Sequence, residues 1–435
     1  MLPGSVASNC ATVECQFKSA QGNREPIVAM SSIPSMLTVD EALARILAAA
    51  NPLTPESAAI ADAFGRSTCE EVRARRTVPP WDNAAMDGYA VRSADLAGAP
   101  VRLQVVETIY AGQLPAHRIG RGECSRIMTG GPMPAGADAV VMQERTRSRG
   151  EHEVEILEPV PTGSFVRPLG EDACEGEMLL PGGTAIGVAE AALLWAQGYS
   201  EVTVPRRPRV AVLATGDELS SVEAAASGKI IDSNSPALSL AAANCGAAVT
   251  RLGIGRDSAE GLGQMLAGTS GHDVVLTTGG ASVGTRDFAR DAFLAVGAEI
   301  DFWRVAIKPG KPLLFARRAG TLFFGLPGNP TSSLVVFELF VRPALRRMMG
   351  RSDAVVPSIR GRTEVEVRKP AGLTHFIRAT ARPRDGELWA TPLETQTSGA
   401  IRSMVGATHL MVVPSQTTHL AAGDAVMLHP VSWQK

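Results

Sequence analysis

The sequence is poor in cysteine and lacks any cysteine pattern. Six occur among 435 residues, at Cys10, Cys15, Cys69, Cys124, Cys174 and Cys245, and no two form a C-x-x-C pair. A disulfide framework and a thiolate zinc site both need closely matched thiols, so this usage excludes them and fits a reducing compartment. Histidine offers no metal-ligand spacing either. His409, His419 and His429 recur at regular intervals, which marks successive strands. No apolar run approaches the roughly 18 residues of a transmembrane helix, and the first 35 residues lack the apolar core of a signal peptide. A long basic block is missing, and the formal net charge is −2, which presents no cationic surface to nucleic acid. Common nucleotide signatures are absent as well. Lys311 is followed by Pro312 rather than Ser or Thr, so no Walker A motif forms, and there is no G-x-G-x-x-G. Without a Cys–His pairing, nucleophilic hydrolase chemistry has little support. These absences describe a soluble, cytoplasmic, multidomain protein with no membrane or nucleic-acid partner.

What is present is turn chemistry. With 43 glycines and 29 prolines, the chain exceeds their average combined share of roughly 12%, which announces many short elements. Hydrophobic residues at 45% and charged residues at 20% are ordinary for a globular chain, and the length implies about three domains. Residues 1–35 are rich in Ser, Ala, Asn and Gln without periodicity and read as a disordered tail. Thr38-Val39-Asp40-Glu41 has the capping-box pattern, and Leu43, Ile46 and Leu47 give the helix that follows an apolar face. Thr54-Pro55-Glu56 predicts the start of a second helix. Between 77 and 91 the prolines and an Asp-Gly pair predict an exposed loop bearing Asp82, Asn83 and Asp87, followed by a short strand at 89–91. From 100 to 170, Val/Ile-rich runs alternate with Gly and Pro, and a helix is predicted over 188–197.

At Arg209 the pattern changes to strands alternating with helices. Strands are predicted from 209, near 248–253 and at 274–278; helices are predicted near 236–245, 259–267 and 330–349. Polar and glycine-rich residues sit at the strand C-termini, which describes an open α/β sheet with a ligand crevice at those ends. After Gly350 only short β-runs occur, near 362–368, 376–382, 387–391, 409–413 and 425–429. The predicted fold class is multidomain α/β plus β. It comprises a central open α/β domain (205–350), a β-rich second domain (75–169) and a C-terminal β-barrel-like domain (351–435). A small α/β N-terminal linker domain is discontinuous (36–74 plus 170–204).

The candidate chemistry lies at the strand ends. The run from Asp273 to Phe288 ends a strand in Gly279, Gly280, Ser282 and Gly284, then adds Arg286-Asp287. Small residues let backbone N–H groups converge on an anion, and an adjoining acid could hold a bridging cation. Read alone, the segment is equally a glycine-rich turn. Thr215-Gly216-Asp217-Glu218 ends another strand. Lys308-Pro309-Gly310-Lys311-Pro312 holds two lysines on a stiffened loop suited to oxyanions. Pro327-Gly328-Asn329-Pro330 leads into a helix whose first turn carries Thr331, Ser332 and Ser333, an oxyanion position. Asp87, Glu218, Asp257 and Asp287 are spread over four segments; isolated loop acids are ordinarily solvated, but their place beside glycine turns suits Mg²⁺ and phosphate work.

Taken together, DNAAMDGYAV, RIMTGGPMPAGADAVVMQE, RPLGED, ATGDEL, TTGGASVGTRDF, FWRVAIKPGKPLLF and GLPGNPTSS resemble the molybdopterin molybdenumtransferase family, which includes MoeA and the E domain of gephyrin-type proteins. The segments fall in family order and span residues 36–435. The resemblance implies an elongated homodimer of four-domain subunits whose α/β domain is similar to molybdopterin adenylyltransferase. It also implies a Mg²⁺-dependent reaction in which adenylylated molybdopterin and molybdate give molybdenum cofactor and AMP. Its catalytic positions match Asp87, Thr129, Glu218, Asp257, Asp287, Lys308 and Lys311, with Asp257 and Asp287 on the metal. Pterin and AMP contacts match Thr215, Gly216, Gly279, Gly280, Ser282, Gly284, Pro327, Gly328, Asn329 and Pro330. The molybdate set matches Lys308, Lys311, Ser332, Arg378 and Ser398. Arg304 stands where the family usually has Lys, which keeps the charge but changes the geometry. Asp87 and Thr129 are expected to reach the site from the partner subunit. The upstream adenylyltransferase and apo-molybdoenzymes are implied contacts. Two rivals are a pterin adenylyltransferase that uses the α/β region alone and a non-catalytic gephyrin-like scaffold.

Overall fold

The computed structural model describes residues 36–224, 228–280 and 288–433. Its centre is a six-stranded sheet ordered Ala248–Gly255, Arg209–Thr215, Val274–Thr278, Thr321–Leu326, Leu314–Arg318 and Glu299–Trp303. The first four strands are parallel, and the last two join antiparallel. Strand alternation explains the unbroken apolar runs seen in the sequence. Val210, Val212, Val274, Leu276 and Phe324 point to one core, while Ala211, Leu213, Val275 and Phe323 point to another. A sheet covered on both faces needs apolar residues at every position. Helices Asn234–Asn244, Ala259–Ala267 and Phe288–Ala295 follow strands, as does a terminal helix that runs from Pro330 to Met348 through a π-turn at Phe337–Val341. The helix over 288–295 has no counterpart among the predicted elements.

The chain leaves strand Arg209–Thr215 to a neighbour on one side and then crosses to Val274–Thr278 on the other. This is a topological switch point, and loops splay apart there to leave a crevice.

The capping box forms as predicted. Thr38 N donates to Glu41 Oε2 at 2.8 Å and Glu41 N to Thr38 Oγ1 at 3.3 Å, starting helix Val39–Ala49. Ala42 and Ile46 on that helix join the core of the α/β sheet. The helix predicted from Thr54 is instead a strand, Pro55–Ala59, antiparallel to Glu201–Pro205, followed by one helical turn at Ile60–Ala63. Thr-Pro-Glu is a sound local helix start, but a pairing partner almost 150 residues away supplies backbone hydrogen bonds that no local window reveals. Ala58, Ile60, Val72, Leu180, Leu194 and Val204 form the core of this region.

The stretch from 88 to 156 folds into a six-stranded sheet ordered Ala139–Met142, Gly88–Val91, Glu123–Ile127, Val101–Ile109, Glu153–Ile156 and Thr146–Ser148. The C-terminal region closes into a barrel. Thr374–Arg384 pairs with Glu387–Pro392, and the ladder passes through Ile359–Thr363, Ala425–Pro430 and His409–Val413 back to Thr374–Arg384. Closure removes the exposed edges that so short a sheet would leave. His409, His419 and His429 each fall in a strand, as their spacing predicted. One further strand, Ile307–Lys308, pairs in parallel with Thr374 and His375 and so ties the lysine loop to the barrel. Among the described residues, no helix is long and apolar enough to cross a membrane.

Candidate active site

The crevice at the switch point is a cavity of about 540 Å³. Thr215, Asp257, Thr278 to Gly280 and Pro327 to Pro330 reach it from the ends of four parallel strands, so the sheet itself gathers residues far apart in sequence. Gly279 has φ +94°, and a Cβ there would lie 2.1 Å from the Thr215 carbonyl oxygen. Only glycine allows the two loops to approach this closely. Asn234 stitches a third loop in, donating from Nδ2 to Thr278 Oγ1 at 2.9 Å and to the Gly328 carbonyl at 2.7 Å. Ser333 Oγ donates to the Pro327 carbonyl. These crevice loops are therefore fixed by direct hydrogen bonds, the preorganisation an anion cradle needs.

Acids line one side. Glu218 and Asp257 face the cavity, and Glu218 folds back so that a Cβ on Gly216 would lie 2.8 Å from either carboxylate oxygen. Asp217 and Asp257 exchange backbone N–H to carboxylate contacts at 3.3 and 3.4 Å, which locks their two loops together. Hard carboxylate oxygens beside a phosphate cradle fit Mg²⁺, which takes one or two carboxylates and completes its shell with water and substrate phosphate. No group of three or more potential metal ligands occurs among the described residues. Asp287, Ser282 and Gly284 lie outside those residues.

A cation-bearing loop borders the side nearest the barrel, although no lysine or arginine is among the described lining residues. Pro312 borders the cavity, and the exposed Lys308 and Lys311 flank it on the same loop. Gly310 has φ +110°, with its Cβ position 2.4 Å from Val336 Cγ2, so the loop is pressed onto the terminal helix. His375 sits opposite Lys308 in the parallel pairing. Burial, then the charges of Lys369 and Lys308, push its pKa down to about 4, and the ring is neutral at neutral pH. Arg378 is fully enclosed. Its Nη2 donates to the carbonyls of Thr395 and Thr397 at 3.1 and 3.3 Å, and it has no carboxylate partner among the described residues. Burial pushes its pKa down to about 10. The loop beyond Thr397 docks on the α/β region: Asn329 Nδ2 donates to Ser398 Oγ at 3.0 Å, and Thr331 N to the Ser398 carbonyl at 3.3 Å. Gly399 thereby enters the cavity wall, and buried Ser332 lies in the adjoining helical turn.

Other predicted residues lie apart. Asp87 and Thr129 do not line the cavity. Gly88 pairs with Ile127, which brings Asp87 and Thr129 together at one sheet end. Thr129 N and Oγ1 both donate to Asp87 Oδ1 at 2.7 Å, and these bonds, the backbone one first, hold its carboxyl below the usual range. Arg304 also stands off the cavity wall, at φ +93° with its guanidinium 4.9 Å over the Trp303 ring. That backbone region is costly for a side-chain-bearing residue.

Sequence reasoning missed Asn234 and the apolar lip. Ile230 and Ile231 line the cavity while 62% and 44% exposed, a pair of apolar side chains offered to a ligand's flat face. The Asp232-Ser233-Asn234-Ser235 run reads as a helix start, and Asp232, one residue before the N-cap Ser233, accepts from Ser235 N at 3.0 Å; that role masks Asn234. The run Gly280-Ala281-Ser282-Val283-Gly284 carries the G-x-S-x-G spacing of a hydrolase elbow. The described cavity lining holds no histidine to serve as a base for it.

Comparison with known proteins gives the geometry a family. The chain is 33% identical over 90% of its length to the molybdopterin molybdenumtransferase of Bacillus subtilis, covering 93% of that protein. The chain belongs to the MoeA family. A second MoeA-family relative, the molybdopterin molybdenumtransferase of a Nostoc species, is 35% identical over 84% of this chain and 86% of its own. Residues 37–198 match the MoeA N-terminal region (domain I and II), 211–347 a probable molybdopterin binding domain, and 360–431 the MoeA C-terminal region (domain IV). The crystal structure of a molybdopterin biosynthesis MoeA protein from Pyrococcus horikoshii superimposes with a TM-score of 0.79 at 27% identity, over 91% of this chain and all of that one. A second structure of a Pyrococcus MoeA protein gives 0.74 at 31% identity, over 91% and 99%. In MoeA terms, the cavity and Arg378 lie on either side of the junction between the probable molybdopterin binding domain and domain IV.

Proposed function

We propose that this chain is a molybdenum insertase, which cleaves adenylylated molybdopterin, places molybdate in the dithiolene and releases AMP. One observation carries the reading: a fully buried guanidinium with no carboxylate partner among the described residues lies behind the barrel loop that closes a nucleotide-sized crevice. A buried charge without a counter-ion is costly and is stabilised when an anion arrives. Arg378, Lys308 and Lys311 supply that anion site, with hydroxyls from Ser332 and Ser398. The glycine loops at 279–280 and 327–330 take the phosphates, and Ile230 and Ile231 cover a ring face. Asp257 and Asp287 would hold Mg²⁺, with Glu218 beside them, and the ion would offset the charge that develops on departing AMP. Holding the oxyanion beside the pterin makes a bimolecular encounter local. Family matches at 37–198 and 360–431 lie outside the adenylyltransferase-like region and argue against adenylyl transfer alone.

The Asp87–Thr129 pair completes the site from a second copy of the chain; its preorganised, ionised carboxylate and its absence from the cavity wall support this. The domain boundaries at about 75, 170, 205 and 351, the cytoplasmic location, and the contacts with the adenylyltransferase and acceptor apoenzymes belong to the same reading. Molybdate-dependent release of AMP from adenylylated molybdopterin tests it. Release by the wild type and loss in Asp287→Asn with substrate binding retained is the expected pattern. AMP release that ignores molybdate sinks the proposal.

A further inference from the structure

A second cavity, of about 370 Å³, opens at the opposite edge of the α/β sheet. Arg207, on its wall, precedes strand Arg209–Thr215, whereas the candidate active site lies beyond that strand's other end. Seven residues of strand separate the two by roughly 20 Å.

Four arginines line this cavity: Arg207, Arg342, Arg346 and Arg351. Among the described residues their carboxylate partners are two. Glu338 takes Arg342, while Asp353 is shared by Arg346 at 2.8 Å and Arg351 at 2.7 Å. Glu338 is spent further on Ser432, whose N and Oγ both donate to it. Arg207 has main-chain partners alone, the carbonyls of Gly246 at 3.0 Å and Asp62 at 2.8 Å. Those carbonyls include a helix end, which explains one guanidinium by helix capping. They do not neutralise the set, and two positive charges are left over. The crowding is felt: burial first, then the charge of Arg351, presses the Arg346 pKa below its ordinary value. Ala61, Ala243, Met349 and the exposed ring of Phe64 give the wall an apolar side, and Asn244 and Cys245 also line it.

We propose that this cavity binds a small phosphomonoester dianion. A phosphomonoester carries about −1.5 to −2 charges at neutral pH, which matches the surplus. Guanidinium forks fit phosphate oxygens, the volume suits a small ligand, and the apolar side suits the group esterified to the phosphate. The site owes nothing to the insertase reading, because no residue of the proposed chemistry lies in it.

Titration calorimetry of the full-length protein at low ionic strength, with inorganic phosphate and separately with AMP, tests the proposal. Ala243→Glu places a carboxylate at an exposed helical position in the cavity wall, where it should fold normally and keep wild-type AMP release. It is expected to weaken phosphate binding by roughly tenfold or more, as is Arg351→Gln. Lys311→Ala, at the other end of the sheet, should leave this binding within about twofold. AMP binding more tightly than phosphate at the Ala243→Glu-sensitive site assigns an ester. Equal affinity overturns the ester in favour of free phosphate. Absence of saturable phosphate binding in the wild type, unchanged binding in Ala243→Glu, or loss of binding in Lys311→Ala overturns the site itself.

Discussion

Replacing Arg378 by methionine separates what the guanidinium does for the ligand from what it does for the fold. Burial takes the group from an ordinary value of 12.5 to about 10, and at 1.36 kcal/mol per pK unit this represents about 3 kcal/mol of destabilisation carried by the free protein. Methionine removes that cost and fills a similar volume with an apolar stem. Against this, the carbonyls of Thr395 and Thr397 lose their donor, at about 1–3 kcal/mol each where water cannot reach them. The terms nearly cancel, so the unliganded variant should unfold within about 2 kcal/mol of wild type. Losing one partner of a buried ion pair would instead cost about 3–5 kcal/mol. Molybdate should separate the two proteins. At about a hundred times its dissociation constant, an oxyanion that binds only the folded state adds about 2.7 kcal/mol, and this gain should appear in wild type and vanish in Arg378→Met. The assay is denaturant unfolding of the barrel with and without molybdate, paired with a molybdate titration of AMP release. A variant already destabilised by about 4 kcal/mol without ligand would make the arginine a structural strut. Equal stabilisation of both proteins by molybdate would move the oxyanion elsewhere.

Three further outcomes can be checked. Gly279→Ala puts a Cβ into the Thr215 carbonyl at a positive φ; a loss of about 2–4 kcal/mol in local stability and about a hundredfold in AMP release is expected, and wild-type activity would show that the loops yield. His375 titrates at about 4 folded against 6.5 unfolded, so the unfolded chain binds more protons in that window. Stability should therefore fall as pH drops from 6.5 to 4, by about 1–2 kcal/mol once solvent screening of a partly exposed ring is allowed for, and His375→Gln should flatten that limb in acid unfolding. Mixing inactive Asp87→Asn and Glu218→Gln chains should restore roughly a quarter of wild-type AMP release if two copies share each site; no recovery after subunit exchange would confine the site to one copy.

Much of the fold was legible because its signals are local or repetitive. Continuous apolar runs marked strands covered on both faces, Thr38 and Glu41 marked a helix start, and regularly spaced β-runs after Gly350 marked the barrel. Pro55–Ala59 was illegible because a strand more than a hundred residues distant overrides a good local helix signal. The site divides the same way. Loop glycines and the KPGKP lysines advertise themselves by composition, and the resemblance supplied Arg378 as a position. Its burial could not be read, since that depends on the barrel closing around Thr374–Arg384. Asn234 was hidden by its second life in a helix start.

The pairing of Ile307 and Lys308 with Thr374 and His375 also has a mechanical meaning. Because the lysine loop is hydrogen-bonded into the barrel's own ladder, any swing of the barrel drags those cations with it. The joint between barrel and sheet is more than the bonds at Ser398 and Ala400: Phe376, Leu410 and Val431 of the barrel share one buried core with Val336, Phe337 and Phe340 of the terminal helix. Separating the two would expose that core at about 25 cal/mol for each Å² of apolar surface, so barrel, lysine loop and sheet keep one geometry. Lys308 and Lys311 are thus held beside the crevice by the fold itself, without help from a ligand.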